Sequence, residues 1–340
     1  MSGKRPDYSK MSKEERCRLA ESIFVQHPRL NSLVEKIKHA HRYSRIAAEP
    51  ECVFIGGPPG AGKTTLLEHY KLQFPAIDRD EITEVPVLCG RVPSKATDKN
   101  LVTTLLMGLG DPAAQKGSAF NQTTRLKLFV KECGVQLIIL DEFQHFLDKD
   151  SWKVLKNVSD WLKNLIDEAN VPIILIGMPY AAQILDAPGN EQLQRRFAVR
   201  ASLDSFGWNT PEERIEFRAF LKAVDELLPF LQRSYLSDPL TAFRFYCATN
   251  GRVGKVMKIV RRATELALDQ GLEQLTLDVL ADAYDDRLRA DHLDRDNAFR
   301  TDKCNLKVIP FKEPEMNLGL ISGRSRRKRR GERASDVLNQ

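Results

Sequence analysis

Four bulky residues, Cys52-Val53-Phe54-Ile55, run straight into the glycine-rich stretch Gly56-Gly57-Pro58-Pro59-Gly60-Ala61-Gly62-Lys63-Thr64. Few folds accept that succession. A run so short, with no polar alternation, reads as a strand buried on both faces. The glycines let successive backbone N–H groups turn into one concavity, and the helical pattern that follows adds the partial positive charge of a helix N-terminus. Residues 57–64 match the G-x-x-x-x-G-K-[ST] phosphate loop. In that role Gly57, Pro58, Pro59, Gly60, Ala61, Gly62, Lys63, Thr64 and Thr65 bind the nucleotide. Lys63 reaches the β- and γ-phosphates and Thr64 holds Mg²⁺. The competing reading is a coincidental glycine turn, but a chance match in a chain this long is on the order of one per cent, and the strand-then-helix context is present.

Such a loop needs acids at the tip of a second strand, and Leu137-Ile138-Ile139-Leu140-Asp141-Glu142 supplies them. Asp141 is placed to position Mg²⁺, so the metal ligands expected are Thr64 and Asp141, with ATP as the bound nucleotide. Glu142 is placed to orient and polarise the attacking water. Two acids after four aliphatics also suit a helix N-terminus, and it is the pairing with the loop that favours the catalytic reading.

Three further apolar runs, at residues 85–89, 173–176 and 198–203, bring the total to five, with helix periodicity between them. The expected core is therefore an α/β domain whose five-stranded parallel sheet is covered by helices. The spacing of Val154, Leu155, Val158, Trp161, Leu162, Leu165 and Ile166 predicts an amphipathic helix against it. An S-x-x-E capping box at Ser12 and Glu15 starts an N-terminal helix. Strand signals stop after Trp208. Thr210-Pro211-Glu212-Glu213 starts a helical stretch running to about residue 290. This divides the chain into an N-terminal arm and helices (1–50), the ATPase core (51–208), a small all-helical lid domain (209–290) and a polar tail (291–340). At 340 residues, 42% of them hydrophobic, the chain has material for that plan.

Charge is concentrated in one place. Of 52 Lys and Arg, six fall in the run 324–330, and the remaining 46 match the 46 acids, which accounts for the net +6. A basic tail of this kind adds salt-sensitive affinity for nucleic acid, docks on an acidic partner, or serves as a nuclear import signal. No apolar run approaches the ~20 residues of a membrane-spanning helix, and the opening MSGKRPDYSK lacks a signal-peptide core, so a cytoplasmic protein without membrane partners is expected. Six scattered cysteines favour a reducing compartment and argue against structural zinc. His145, four residues after Asp141, has no companions at metal-ligand spacing and reads as a structural or site-supporting side chain.

With the acidic pair and the trailing helices, the phosphate loop resembles the AAA+ division of P-loop NTPases. More narrowly, the chain resembles the TniB/TnsC family of AAA+ transposition regulators over residues 12–280. The resemblance rests on Leu140-Asp141-Glu142-Phe143-Gln144-His145-Phe146-Leu147, on Ile176-Gly177-Met178-Pro179-Tyr180-Ala181 and on Gln192-Leu193-Gln194-Arg195-Arg196-Phe197. Phe24-Val25-Gln26-His27-Pro28-Arg29 and Thr249-Asn250-Gly251-Arg252-Val253-Gly254 also agree.

The resemblance implies an ATPase that assembles on double-stranded DNA as homo-oligomeric rings or filaments and recruits or activates a transposase. A target-selection protein, in some members a CRISPR effector or a TniQ-like adaptor, chooses the site, and hydrolysis removes the assembly. It implies a trans-acting arginine finger, here Arg196 or else Arg195, although an Arg pair also solvates helix ends. It places DNA contacts after the second strand, at Lys95 and Lys99, with Lys116 and Arg125 as weaker candidates. A second sensing cation is expected at Arg252 or Lys255, which also begin a basic stripe of the kind that usually faces solvent. Met178 departs from the pattern, because a small hydroxylic γ-phosphate sensor is usual there and a thioether cannot donate that bond. The other readings are a helicase loader or initiator-like ATPase acting on another protein, and a catalytically quiet nucleotide-holding module.

Overall fold

The structure is a computed structural model that describes residues 5–44, 46–47, 49–80, 82–94, 96–147, 152–289 and 296–301. In chain order its strands are β1 (Val53–Gly56), the short antiparallel pair β2 (Ile77–Asp78) and β3 (Thr83–Glu84), β4 (Val87–Arg91), β5 (Leu137–Asp141), β6 (Ile173–Gly177) and β7 (Val199–Ser202). Five of them form one parallel sheet in the order β4-β5-β6-β1-β7. Because all five run the same way, their carboxyl ends share one edge, where ligands of open α/β sheets bind. The register sets Gly56 beside Gly177 and Arg91 beside Asp141.

The helices are α1 (Lys13–Ser22), α2 (Pro28–Tyr43), α3 (Lys63–Leu72), α4 (Asp98–Gly108), α5 (Ala119–Glu132), α6 (Trp152–Ala169), α7 (Glu191–Arg196), α8 (Pro211–Leu227), α9 (Pro239–Thr249), α10 (Val253–Asp269) and α11 (Leu277–Arg287). Helices α4, α5 and α6 cover one face of the sheet, burying Leu105, Leu126 and Leu162 against Leu88, Leu140 and Leu175. Helices α2 and α3 cover the other, with Ile37, Leu66 and Tyr70 against Ile55, Ile139 and Ile176. Both faces of β1, β5 and β6 are therefore dry, which explains their unbroken aliphatic sequences.

A separate core joins α8 to α11, through Phe217, Phe245, Ile259 and Leu280 among others. It also takes Ala20 and Ile23 from the N-terminal side, so α1 packs with the C-terminal helices while α2 packs on the sheet. The predicted capping box at Ser12 with Glu15 is present, and the helix start expected at Thr210 turns out to carry one as well, with Glu213. Two strand expectations shift. The run at 85–89 pairs only from Val87, because Pro86 has no N–H for the ladder and Val85 donates instead to the Cys133 carbonyl. The last strand, β7, is a half-exposed edge rather than a buried strand, with Arg200 paired to Asp186. Residues 302–340, including the basic run 324–330, lie outside the described residues, as does Lys95.

Candidate nucleotide site

The loop between β1 and α3 sits at the centre of the sheet's carboxyl edge. Gly60 (φ 75°) and Gly62 (φ 100°) adopt left-handed backbone that residues with a Cβ resist. Gly57 has a different constraint, since a Cβ there would lie 2.6 Å from the Leu203 carbonyl oxygen. Gly62 caps α3 without a side-chain hydrogen bond, so the first-turn N–H groups of α3 point into the loop. Lys63 Nζ donates to the Gly57 and Pro58 carbonyls at 2.6 and 3.0 Å. Burial pushes the Lys63 pKa down, and the Asp141 and Glu142 carboxylates oppose that shift.

Asp141 ends β5, one strand beyond β6, and is buried. Its Oδ2 accepts from Thr64 Oγ1 at 3.0 Å and its Oδ1 from the Glu142 N–H at 2.8 Å. A hydroxyl and a carboxylate this close, beside a loop of inward-pointing N–H groups, are the oxygen donors Mg²⁺ takes when it bridges to phosphates. Glu142 itself is held at φ 58°, a strained conformation for a residue with a side chain. Its carboxylate accepts from Gln144 Nε2 and lies 3.6 Å from the Arg91 guanidinium and 3.9 Å from His145 Nε2.

Gln144 falls within the stretch 140–147, but nothing in the sequence assigned it a role. It is buried, and its Oε1 accepts the Met178 backbone N–H at 3.1 Å while its Nε2 holds Glu142. A Cβ at Gly177 would lie 2.9 Å from that Oε1, so the glycine makes the close approach possible. One amide thus ties the Glu142 carboxylate to the tip of β6, the strand between the acids and the loop. Met178 contributes its backbone to this link and no side-chain donor.

A cavity of about 250 Å³ continues from the loop. Ala61, Gly62 and Thr65 form one wall, the segment from Ile23 to Leu30 another, and Phe220 with Val253, Gly254 and Met257 a third. Lys258 and Arg261 of α10 also line it. The N-terminus of α10 touches the phosphate loop directly, with the Gly254 N–H donating to the Gly60 carbonyl at 2.7 Å. Gly254 allows this approach, since a Cβ there would lie 2.9 Å from the Gly60 carbonyl oxygen.

A family model for the bacterial TniB protein matches residues 16–206, more than half of the chain. The chain belongs to the TniB family. No curated protein matches the sequence. Among solved structures, the TniB-family fold resembles the ORC2 protein of Aeropyrum pernix (16% identity, 79% of this chain and 71% of that one, TM-score 0.55). It also resembles Cdc6p of Pyrobaculum aerophilum (11%, 80% and 71%, 0.57) and the Aeropyrum pernix ORC1 protein in complex with DNA (15%, 80% and 69%, 0.54). These similarities concern the fold, which is AAA+. This TniB-family chain has the AAA+ fold and is an ATPase.

The remaining cations of the TniB-family chain are distributed unevenly. Arg196 is ion-paired, at 2.5 Å from Asp167 and 3.8 Å from Glu49, whereas its neighbour Arg195 is exposed. The Asp167 partner is half exposed, and such pairs contribute about 0–1 kcal/mol, too little to hold Arg196 against a competing phosphate. Arg252 caps α10, and Lys255 lies in its first turn. Farther along α10, Arg261 pairs with Glu21 and Arg262 with Glu265 and Asp286, so part of the basic stripe is an ion-paired face. Lys99 and Lys116 are exposed. Arg125 pairs with Asp111 and donates to the Ala113 and Lys116 carbonyls, so it braces the α4–α5 connection. Among the described residues no helix is long and apolar enough to cross a membrane.

Proposed function

We propose that this TniB-family ATPase assembles on double-stranded DNA with ATP bound between neighbouring copies, marks a target for a transposase, and comes apart when the ATP is hydrolysed. The observation that carries the reading is the 3.0 Å approach of Thr64 Oγ1 to Asp141 Oδ2, within a phosphate loop that α10 touches from above. Thr64 and Asp141 would hold Mg²⁺, which neutralises phosphate charge when bound. Lys63 and the backbone N–H groups from Gly60 to Thr65 bind the phosphates. Glu142, oriented by Gln144, takes the water's proton. Arg196, or the exposed Arg195, reaches the γ-phosphate of the adjacent copy, a contact worth ~10³–10⁵ in rate where such fingers operate.

DNA contact through Lys99 and Lys116, joined by Lys95 and the basic run 324–330, would act on phosphates and carry no sequence code. The fold's likeness to an ORC1 protein in complex with DNA supports a DNA-bound role. The transposase, and a CRISPR effector or TniQ-like adaptor as target selector, are the partners this reading requires. Electron microscopy of the full chain with duplex DNA and a non-hydrolysable ATP analogue tests it. Rings or filaments that need both components are expected, and isolated monomers on long duplex would overturn it.

The likeness to ORC2 and Cdc6p favours one second reading, an initiator-like or helicase-loading ATPase. It is distinguished by its requirement, since a loader engages a replicative helicase and forms no nucleotide-dependent coat on naked duplex.

A further inference from the structure

Phe120, the second residue of α5, presents its ring to solvent and is 79% exposed. Single exposed apolar groups are common on protein surfaces, and what sets this one apart is its mounting. The connection from α4 to α5 is tied down along its length. Arg125 donates through Nε to Asp111 Oδ2 at 3.0 Å, and through Nη1 and Nη2 to the Lys116 and Ala113 carbonyls at 3.1 and 2.6 Å. Gln122 Nε2 donates to the Ala114 carbonyl and to Thr103 Oγ1. Ser118 then caps α5, its hydroxyl accepting the Asn121 N–H at 3.2 Å. Lys116 and Phe120 therefore project from a backbone already held in place, which lowers the ordering cost of any contact they make.

The charge around the ring has one sign. Between Asp111 and Glu132 the chain carries four cations, Lys116, Arg125, Lys127 and Lys131, and no acid. Arg125 and Lys127 are paired, to Asp111 and Glu168. Lys116 and Lys131 are exposed, and Phe120, Thr124 and Leu128 lie between them on the exposed side of α5. A surface of this sign attracts the phosphate backbone of nucleic acid. Phosphates offer a phenyl ring nothing, whereas bases offer a π-face. Apolar side chains that enter between base steps unstack a duplex whose backbone is held by neighbouring cations.

We propose that Phe120 enters double-stranded DNA as an apolar wedge at a base step, with Lys116 on the adjoining phosphate, so that the duplex is gripped through its stacking as well as its backbone. This rests on the DNA-bound reading above and adds to it a preference for duplex that unstacks readily. The test uses the full chain with a non-hydrolysable ATP analogue and two labelled duplexes of equal length, one fully paired and one with a central mismatch, where unstacking costs less. The wild type should bind the mismatched duplex about fivefold more tightly. Phe120→Ala removes little packing and should melt with the wild type. It should bind the paired duplex about tenfold more weakly, the loss of one stacked ring, and no longer distinguish the two. The slope of log affinity against log salt should stay as it is in Phe120→Ala and shrink by about one in Lys116→Ala. Equal binding of both duplexes by the wild type, or wild-type affinity, a surviving preference or a reduced salt slope in Phe120→Ala, overturns the wedge while leaving the DNA reading standing. Wild-type DNA affinity with lost assembly in that variant would make Phe120 a contact between copies instead. An unchanged salt slope in Lys116→Ala overturns its phosphate contact. Failure of the wild type to bind either duplex overturns the DNA reading and this proposal together.

Discussion

The two ends of the nucleotide site are built differently. The phosphate end comes from a contiguous loop and one strand tip, anchored to strands β1 and β5, which are buried on both faces. Its working groups are charged or polar and lie within hydrogen-bond reach of one another. The far end, the 250 Å³ cavity, is mostly apolar, and its walls come from stretches far apart in sequence, near residues 23–30, 61–65, 220 and 253–261. A motif can encode the first because its geometry is local. The second exists only once the C-terminal helices have folded against the sheet. The expected division of labour follows: changes at the phosphate loop act on turnover, and changes at the cavity act on affinity.

The largest effect should come from Lys63→Ala, which removes the cation that the proposed function sets against the β- and γ-phosphates. ATP turnover measured by phosphate release should fall by 10² or more, in line with the loss of one preorganised charge donor. Glu142→Gln should lower turnover by about 10²–10⁴ while nucleotide binding stays within severalfold, and its assemblies on DNA should outlast the wild type's. Equal losses of binding and turnover in this variant would break the comparison. Gln144→Ala should reduce kcat about tenfold with KM for ATP unchanged, because the amide orients Glu142 and touches no phosphate.

Gly254→Val probes the other end. Its Cβ would lie 2.9 Å from the Gly60 carbonyl oxygen, backbone that cannot step aside. Overpacking of this kind costs about 1–3 kcal/mol, so ATP affinity should drop roughly tenfold or more in a titration, while kcat at saturation changes little. The smallest effect concerns pH. Burial, reinforced by Arg29 and opposed by Glu216, holds the His27 pKa below 6.5. As pH falls through that range the unfolded chain takes up a proton that the folded chain refuses, so this contribution to stability is full above pH 6.5 and lost below it. Thermal melts of the wild type at pH 7.5 and 5.5 should differ by more than those of His27→Asn.

The phosphate loop, the acidic strand tip and the starts of α1 and α8 were legible because each is fixed by neighbours within a few residues. Gln144 was not, since its role depends on β6 passing close enough for the amide to reach the Met178 N–H. The packing of α1 with the C-terminal helices left no trace either, because an apolar stripe states that a helix is buried and not against what. The cations were the least legible group. Arg125 and Lys99 look alike in sequence, yet one braces a loop and the other is exposed.

The chain passes from the core of the C-terminal helices to that of the sheet between Ile23 and Leu30, the two parts touch again at the Gly254 to Gly60 hydrogen bond, and both places border the same cavity. Whatever occupies that space is mortar between the halves of the molecule. Filling or emptying it therefore alters more than one pocket, because it changes how firmly a joint is set.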